Sequence, residues 1–252
     1  MTEELRFPST ALVIGGSRGI GRALVHRLAA RGTRVAIGYS SRDESAKQTA
    51  AEAAAVGPEP VLVKGDQGSD AARMVQDALD ALGGLDALVT TAVPMITGRT
   101  LSVTREEHQA AMDVQVWGFL EAFRAALPSL ERARGSAISV SSLGAQLYAR
   151  YYGALGPAKA ALETLIKYLA AEAGPKGVRV NGVSPCLVDD IGHTGDAPDV
   201  MVLLDQVAKR TPMRRLAIPE EIASVIETML GPEFGFVTGQ VVAVDGGYSL
   251  LA

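Results

Sequence analysis

Tyr152 and Lys159 are the residues of this chain best placed to move a proton. They stand in the run Tyr151-Tyr152-Gly153-Ala154-Leu155-Gly156-Pro157-Ala158-Lys159, with six residues between them and a leucine four positions before the lysine. A phenol beside an ammonium donates a proton near neutral pH, because the positive charge stabilises the phenolate and draws the tyrosine below its ordinary value of ~10. Residues seven apart on a helix differ by about 700°, or −20°, and so share a face. Gly156-Pro157 qualifies that geometry, since proline favours the first turn of a helix; a helix beginning there leaves Tyr152 in the loop before it.

Such a pair needs a scaffold. Seven short apolar runs occupy residues 10–15, 34–39, 60–64, 85–91, 136–141, 179–184 and 240–244. They are rich in Val, Ile, Leu and Ala and do not alternate polar with apolar, as expected of strands buried on both faces of a parallel sheet. Helical stretches fall between them, at 21–31, 43–55, 70–82, 105–130, 157–173 and 219–230. Repeated strand–helix–strand units predict an α/β fold, with a doubly wound, seven-stranded parallel sheet and helices on both faces. No linker or low-complexity segment divides residues 1–252, so one domain is expected. Residues 189–216 interrupt the regularity with a polar, Gly- and Pro-bearing insertion that has its own apolar patch at 200–207. Excursions of this length in compact domains are often lids or binding loops.

Composition sets the outer bounds. At 252 residues the chain buries a core large enough to need no metal or disulfide. Hydrophobic residues make up 48% and aromatics only 5%, which suits close helix-on-sheet packing. A net charge of −4 argues against a nucleic-acid surface. The lone Cys186 fits a reducing compartment. Without a signal peptide or a long apolar run, the chain is expected to be cytoplasmic and to contact no membrane. His26, His108 and His193 are scattered singly and, with Cys186, make no metal-ligand spacing.

Directly after the first strand comes Gly15-Gly16-Ser17-Arg18-Gly19-Ile20-Gly21. Glycines in this position permit a tight turn and let the backbone approach a pyrophosphate lying at a helix N-terminus. NAD enzymes place a carboxylate at the end of the second strand for the ribose 2′-hydroxyl. Here that strand ends Gly38-Tyr39-Ser40-Ser41-Arg42, with no acid before Asp43. Arg18, Arg42, Ser40 and Ser41 would instead welcome a 2′-phosphate, so NADPH is the expected cofactor.

The spacing Gly-x-x-x-Gly-x-Gly resembles that of the short-chain dehydrogenase/reductase superfamily. The likeness covers nearly the whole chain and includes Val180-Asn181-Gly182-Val183-Ser184-Pro185 and the ending Val244-Asp245-Gly246-Gly247. It implies a Rossmann-type fold, an adenine contact from Asp66, and further cofactor contacts from Gln67, Ala92, Pro185, Val188 and Lys159. In the superfamily at large the catalytic tyrosine lies four before the lysine, where this chain has Leu155. The pattern Tyr-x6-Lys instead resembles the NADPH-dependent enoyl-acyl-carrier-protein reductase III group, which the segment Ser141-Ser142-Leu143-Gly144 also matches. That resemblance implies reduction of the C=C bond of an enoyl thioester or related enone, carried on coenzyme A or an acyl carrier protein. Tyr152 would stabilise the enolate oxygen, Lys159 would bind the nicotinamide ribose, and Ser142, seventeen before the lysine, would assist. Ser142 could equally be a strand-end hydroxyl that caps backbone. Tyr148 is the second candidate donor; Tyr151 should point away if Tyr152 points in. A homotetramer built through the helices at 105–130 and 157–173 is also implied.

Three positions depart from the superfamily. Asn-Asn-Ala-Gly after the fourth strand is Thr90-Thr91-Ala92-Val93, the helix asparagine assigned to proton relay is Gln115, and the threonine beside the carboxamide is Asp190. They predict a relay that is rerouted or absent, and a specialised pathway. Two further readings remain: a carbonyl reductase of a polyketide or other secondary metabolite, and a cofactor-binding protein with weak or non-redox activity.

Overall fold

A computed structural model describes residues 5–190 and 198–251. The seven strands are β1 (Thr10–Ile14), β2 (Arg34–Tyr39), β3 (Val61–Lys64), β4 (Ala87–Thr90), β5 (Ser136–Val140), β6 (Arg179–Pro185) and β7 (Val241–Val244). All neighbouring pairs are parallel, in the order β3-β2-β1-β4-β5-β6-β7. The unpatterned apolar runs thus become strands covered on both sides, as β1, β4, β5 and β6 are along their whole length. The order reverses between β1 and β4, and the crevice at that switch point is where such sheets bind ligands.

The helices α1 (Gly19–Ala30), α2 (Asp43–Ala54) and α8 (Pro219–Leu230) cover one face. The other is covered by α3 (Gln67–Leu82), α5 (Gly118–Ala133) and α6 (Leu155–Ala173). Local chemistry sets several ends. Asp66 caps α3 by accepting from the Gly68 amide at 2.8 Å, and Gly83 ends it in the left-handed region at φ 78°. Thr104 and Glu107 form a capping box at α4 (Arg105–Met112).

Two expectations need correction. The helix foreseen over 105–130 is three pieces: α4, a π-helical turn at Asp113–Trp117, and α5. The wider turn inserts a residue and shifts the helical phase. Gln115 is thereby buried while Trp117 stays half-exposed, apart from the packed pair Phe119 and Phe123. The foreseen excursion at 189–216 contains a helix, α7 (Pro198–Arg210), with Leu204 and Val207 buried. Residues 191–197, and with them His193, lie outside the described residues. Among the described residues, no helix is long and apolar enough to cross a membrane.

Candidate active site

A cleft of about 590 Å³ opens at the switch point, and the glycine turn forms its floor. Gly15, Ser17, Arg18, Gly19, Ile20 and Gly21 all line it. The glycines are required by space. A Cβ on Gly21 would lie 2.2 Å from the Gly15 carbonyl oxygen, and one on Gly15 would lie 2.5 Å from Thr91 Oγ1. Gly15 and Gly19 also sit at positive φ, 87° and 50°. No side chain caps α1, whose first amides face the cleft at the positive end of the helix dipole.

Ser40, Ser41 and Arg42 make the second wall, and Asp66 and Gln67 line the far end. Arg18 is pulled below its ordinary value first by burial and then by the charge of Arg42, with Asp190 opposing. Two guanidiniums that repel each other across a cleft are suited to an anion between them. The first acid after the second strand, Asp43, is taken: it accepts from Lys64 Nζ at 2.9 Å and from the Tyr39 hydroxyl at 3.1 Å. Gln67 is buried and gives its amide hydrogen to the Val114 carbonyl at 2.7 Å, which leaves its Oε1 without a partner. A buried orphan acceptor at the cleft wall suits the amino group of an adenine. The residues present therefore fit a dinucleotide.

Ala92 and Val188 also line the cleft; Pro185 does not, being buried at the end of β6. Nor do Ser142, Tyr152 and Lys159 form its wall. Tyr152 pairs with the segment that leaves the cleft at Met95, and Lys159 is joined to the cleft residue Ala92 through Gln115. Gly98 bridges to Tyr152, donating its amide to the Tyr151 carbonyl at 2.9 Å, and its own carbonyl accepts from Gly153 at 3.0 Å. Tyr152 precedes α6, so the shared helix face is not what places it. Tyr151 at φ 63° turns the chain. Tyr151 then faces outward beneath the Arg150 guanidinium, while the Tyr152 ring packs on Gly144. Tyr148 is 87% exposed, which leaves Tyr152 as the inward phenol. Leu155, at the superfamily's tyrosine position, is buried with Ala111, Ala154 and Ala158.

The electrostatics differ from the simple tyrosine–lysine pair. Burial raises Tyr152 above its ordinary value, and the neighbouring Ser142 hydroxyl partly offsets this. Lys159 is not what acts on it. The ammonium is 3% exposed and donates to Gln115 Oε1 at 2.5 Å and to the Val140 carbonyl at 2.6 Å. Burial pulls Lys159 down to about 7, with Glu163 opposing. Two of its three N–H donors are used, and the third remains for a ribose hydroxyl.

The three departures have defined places. Thr91 Oγ1 donates to the Gly15 carbonyl at 3.0 Å, and Thr90 shares a hydrogen bond of 2.7 Å with Ser139. Hydroxyls thus tie β1 to β4 and β4 to β5 where asparagines were expected. Gln115 donates to the Ala92 carbonyl at 3.0 Å and accepts directly from Lys159. Asp190 lies against the glycine turn, its Oδ2 2.9 Å from where a Gly19 Cβ would be. Glu163 and Gln146, which the sequence did not single out, complete the site: Glu163 accepts from Ser141 Oγ at 2.7 Å and from Gln146 Nε2 at 3.0 Å. A buried acid four residues after the lysine, on an otherwise apolar face, was the available signal.

A family model described as Enoyl-(Acyl carrier protein) reductase matches residues 14–249. A 1-cyclohexenylcarbonyl-CoA reductase of Streptomyces collinus is 29% identical, over 96% of this chain and 87% of its own. An L-rhamnose 1-dehydrogenase (NAD(P)(+)) of Azotobacter vinelandii is 33% identical, over 96% and 97%. Among solved structures, a short-chain dehydrogenase/reductase from Serratia marcescens superposes with a TM-score of 0.89 at 30% identity, covering 96% of this chain and 98% of that one.

Proposed function

The chain belongs to the short-chain dehydrogenase/reductase superfamily, and from that premise we propose that it is an NADPH-dependent reductase of the C=C bond of an enoyl thioester or related enone. The observation that carries this is the inward phenol of Tyr152, packed on Gly144 beside Ser142, while the usual tyrosine position is a core leucine. The relative named for 1-cyclohexenylcarbonyl-CoA reduction supports the same chemistry.

The cofactor, when bound, supplies a hydride. The glycine turn and the N-terminus of α1 would hold its pyrophosphate, Arg18, Arg42, Ser40 and Ser41 its 2′-phosphate, Asp66 and Gln67 its adenine, and Lys159 its nicotinamide ribose. Hydride addition to the β-carbon leaves charge on the thioester oxygen. Tyr152 donates to that oxygen, and Ser142 steadies the phenol. Burial serves this role, because a phenol raised above its ordinary value keeps its proton until the acceptor becomes basic. Gln115 fixes the lysine beneath the Ala92 carbonyl at the cleft edge. We further propose a homotetramer, with half-exposed Trp117 covered between subunits.

The Tyr152–Ser142 contact favours a second reading. Two converging hydroxyls also suit a ketone oxygen, and one relative is named a sugar dehydrogenase. Mixing the protein with NADPH and a crotonyl-type thioester, and separately with ketones, while following the reduced nicotinamide decides between them. Turnover of ketones alone sinks the enoyl assignment, and turnover of neither sinks both.

A further inference from the structure

Glu163 is a buried acid that hydride and proton transfer do not use. It lies one helical turn beyond Lys159 on α6, 9% exposed, between the fully buried Leu162 and Ile166. Burying a carboxylate costs several kcal/mol unless it is paired and hydrogen-bonded, so a hydrophobic residue would be the expected occupant.

Both of its oxygens are engaged, and their partners bracket the catalytic loop. Ser141, which donates to Oε1, immediately precedes Ser142. Gln146, which donates to Oε2, follows the 3-10 turn Leu143–Ala145. Between those two anchors lie the Ser142 hydroxyl that meets the phenol and the Gly144 backbone on which the Tyr152 ring rests. On its other side Glu163 acts on Lys159. The ammonium otherwise meets Gln115 from the π-helical turn and the Val140 carbonyl from β5, both neutral, with the Tyr152 phenol on the segment before α6.

We propose that Glu163 is the positioning residue of this site: it pins the Ser142–Gly144 loop to the helix that carries Lys159 and supplies that buried lysine with its counter-charge. Charge-assisted bonds from Ser141 and Gln146 are stronger than neutral ones and hold the loop at the precision that proton transfer requires. The turnover part of the test rests on the reductase assignment; the binding part does not.

Three variants separate the two roles. Glu163→Gln keeps the shape and removes the charge; the alkaline limb of the kcat profile should move to lower pH by on the order of one unit, because an isolated buried ammonium loses its proton more readily. Gln146→Ala keeps the charge and frees the loop; kcat should fall about tenfold or more with the limb unmoved and KM little changed. Glu163→Ala should show both effects. Fluorescence titration with NADPH provides a readout independent of turnover. Glu163→Gln should match wild type at pH 5, where both lysines are charged, and bind about threefold or more weakly at pH 7, where the wild-type lysine is still partly charged and the variant's has lost most of its charge beside the cofactor. If the wild-type protein reduces neither thioesters nor ketones, the reductase assignment fails alone and this titration still decides. Lower melting temperatures with unmoved kcat, limb and binding curves would mean that Glu163 is merely structural, and would overturn the proposal.

Discussion

Replacing Tyr152 with phenylalanine tests the donor assignment most directly. The substitution removes one oxygen and leaves the anchoring intact. The ring still packs on Gly144, and the backbone is held by Gly98 on one side and by the Gly156 amide, 2.7 Å from the Tyr152 carbonyl, on the other. Folding stability should change by no more than about 1 kcal/mol, the worth of one polar contact of the hydroxyl. The transition state loses more. A positioned donor to a developing oxyanion contributes about 10²–10³ in kcat, and proton transfer about 10²–10⁴. Tyr152→Phe should therefore lower kcat by about 10²–10⁴, or roughly 3–5 kcal/mol at 1.36 kcal/mol per tenfold. NADPH affinity should stay within about twofold of wild type. Stopped-flow single turnover with the best thioester, beside a cofactor titration, measures both quantities. Tyr148→Phe and Tyr151→Phe, whose side chains face outward, are the controls. A Tyr152→Phe enzyme retaining more than about a tenth of wild-type kcat would refute the assignment.

Other consequences follow from the same contacts. Gly21→Ala puts a Cβ 2.2 Å from the Gly15 carbonyl oxygen, so the turn must widen; NADPH affinity measured by calorimetry should fall at least about tenfold, with about 1–3 kcal/mol of stability lost to overpacking. Removing both Arg18 and Arg42 should lower the preference for NADPH over NADH by about 10–100-fold, through lost charge-assisted contacts; an unchanged ratio of kcat/KM values argues against the 2′-phosphate site. Burial holds Lys159 at about 7, far below the ordinary lysine value of 10.5. Between those values the unfolded chain carries a proton that the folded chain does not, so this penalty is complete below about pH 7 and relieved as pH rises toward 10.5. Denaturant unfolding of wild type against Lys159→Met across that window should show the wild type gaining relative stability with pH; parallel curves would contradict it. Phe119, fully buried between sheet and helices, should cost about 3–5 kcal/mol on truncation to alanine, seen as a drop in melting temperature of about 10 °C.

Much of this protein is legible in its sequence because the signals are local. Strands covered on both faces must be apolar throughout, so β2 is found residue for residue at 34–39, and the other strands within two residues at either end. Glycine is demanded wherever backbone meets backbone, so Gly15, Gly19 and Gly21 mark the phosphate turn before any helix is placed. The absence of an acid before Asp43 is likewise a linear fact, although only the fold shows that Asp43 itself is committed to Lys64.

The chemistry beyond the turn belongs to the tertiary structure. An even helical period over 105–130 conceals the π-helical turn, because one extra residue in a turn changes where later side chains point without changing their polarity. That turn carries Gln115 into the core and onto Lys159. Tyr152 and Lys159 were paired by spacing, yet the phenol meets Ser142 and the ammonium meets Gln115. Spacing along a chain constrains direction only within one rigid element, and Tyr152 lies outside the helix, turned inward by Tyr151 and Gly98. Glu163 shows the same limit from the other side. Its burial beside the lysine follows from its helical position, whereas its partners, Ser141 and Gln146, come from across the fold. Residue types and their order determine which groups can do chemistry; which of them touch is decided by how β5, the π-helical turn and α6 pack together.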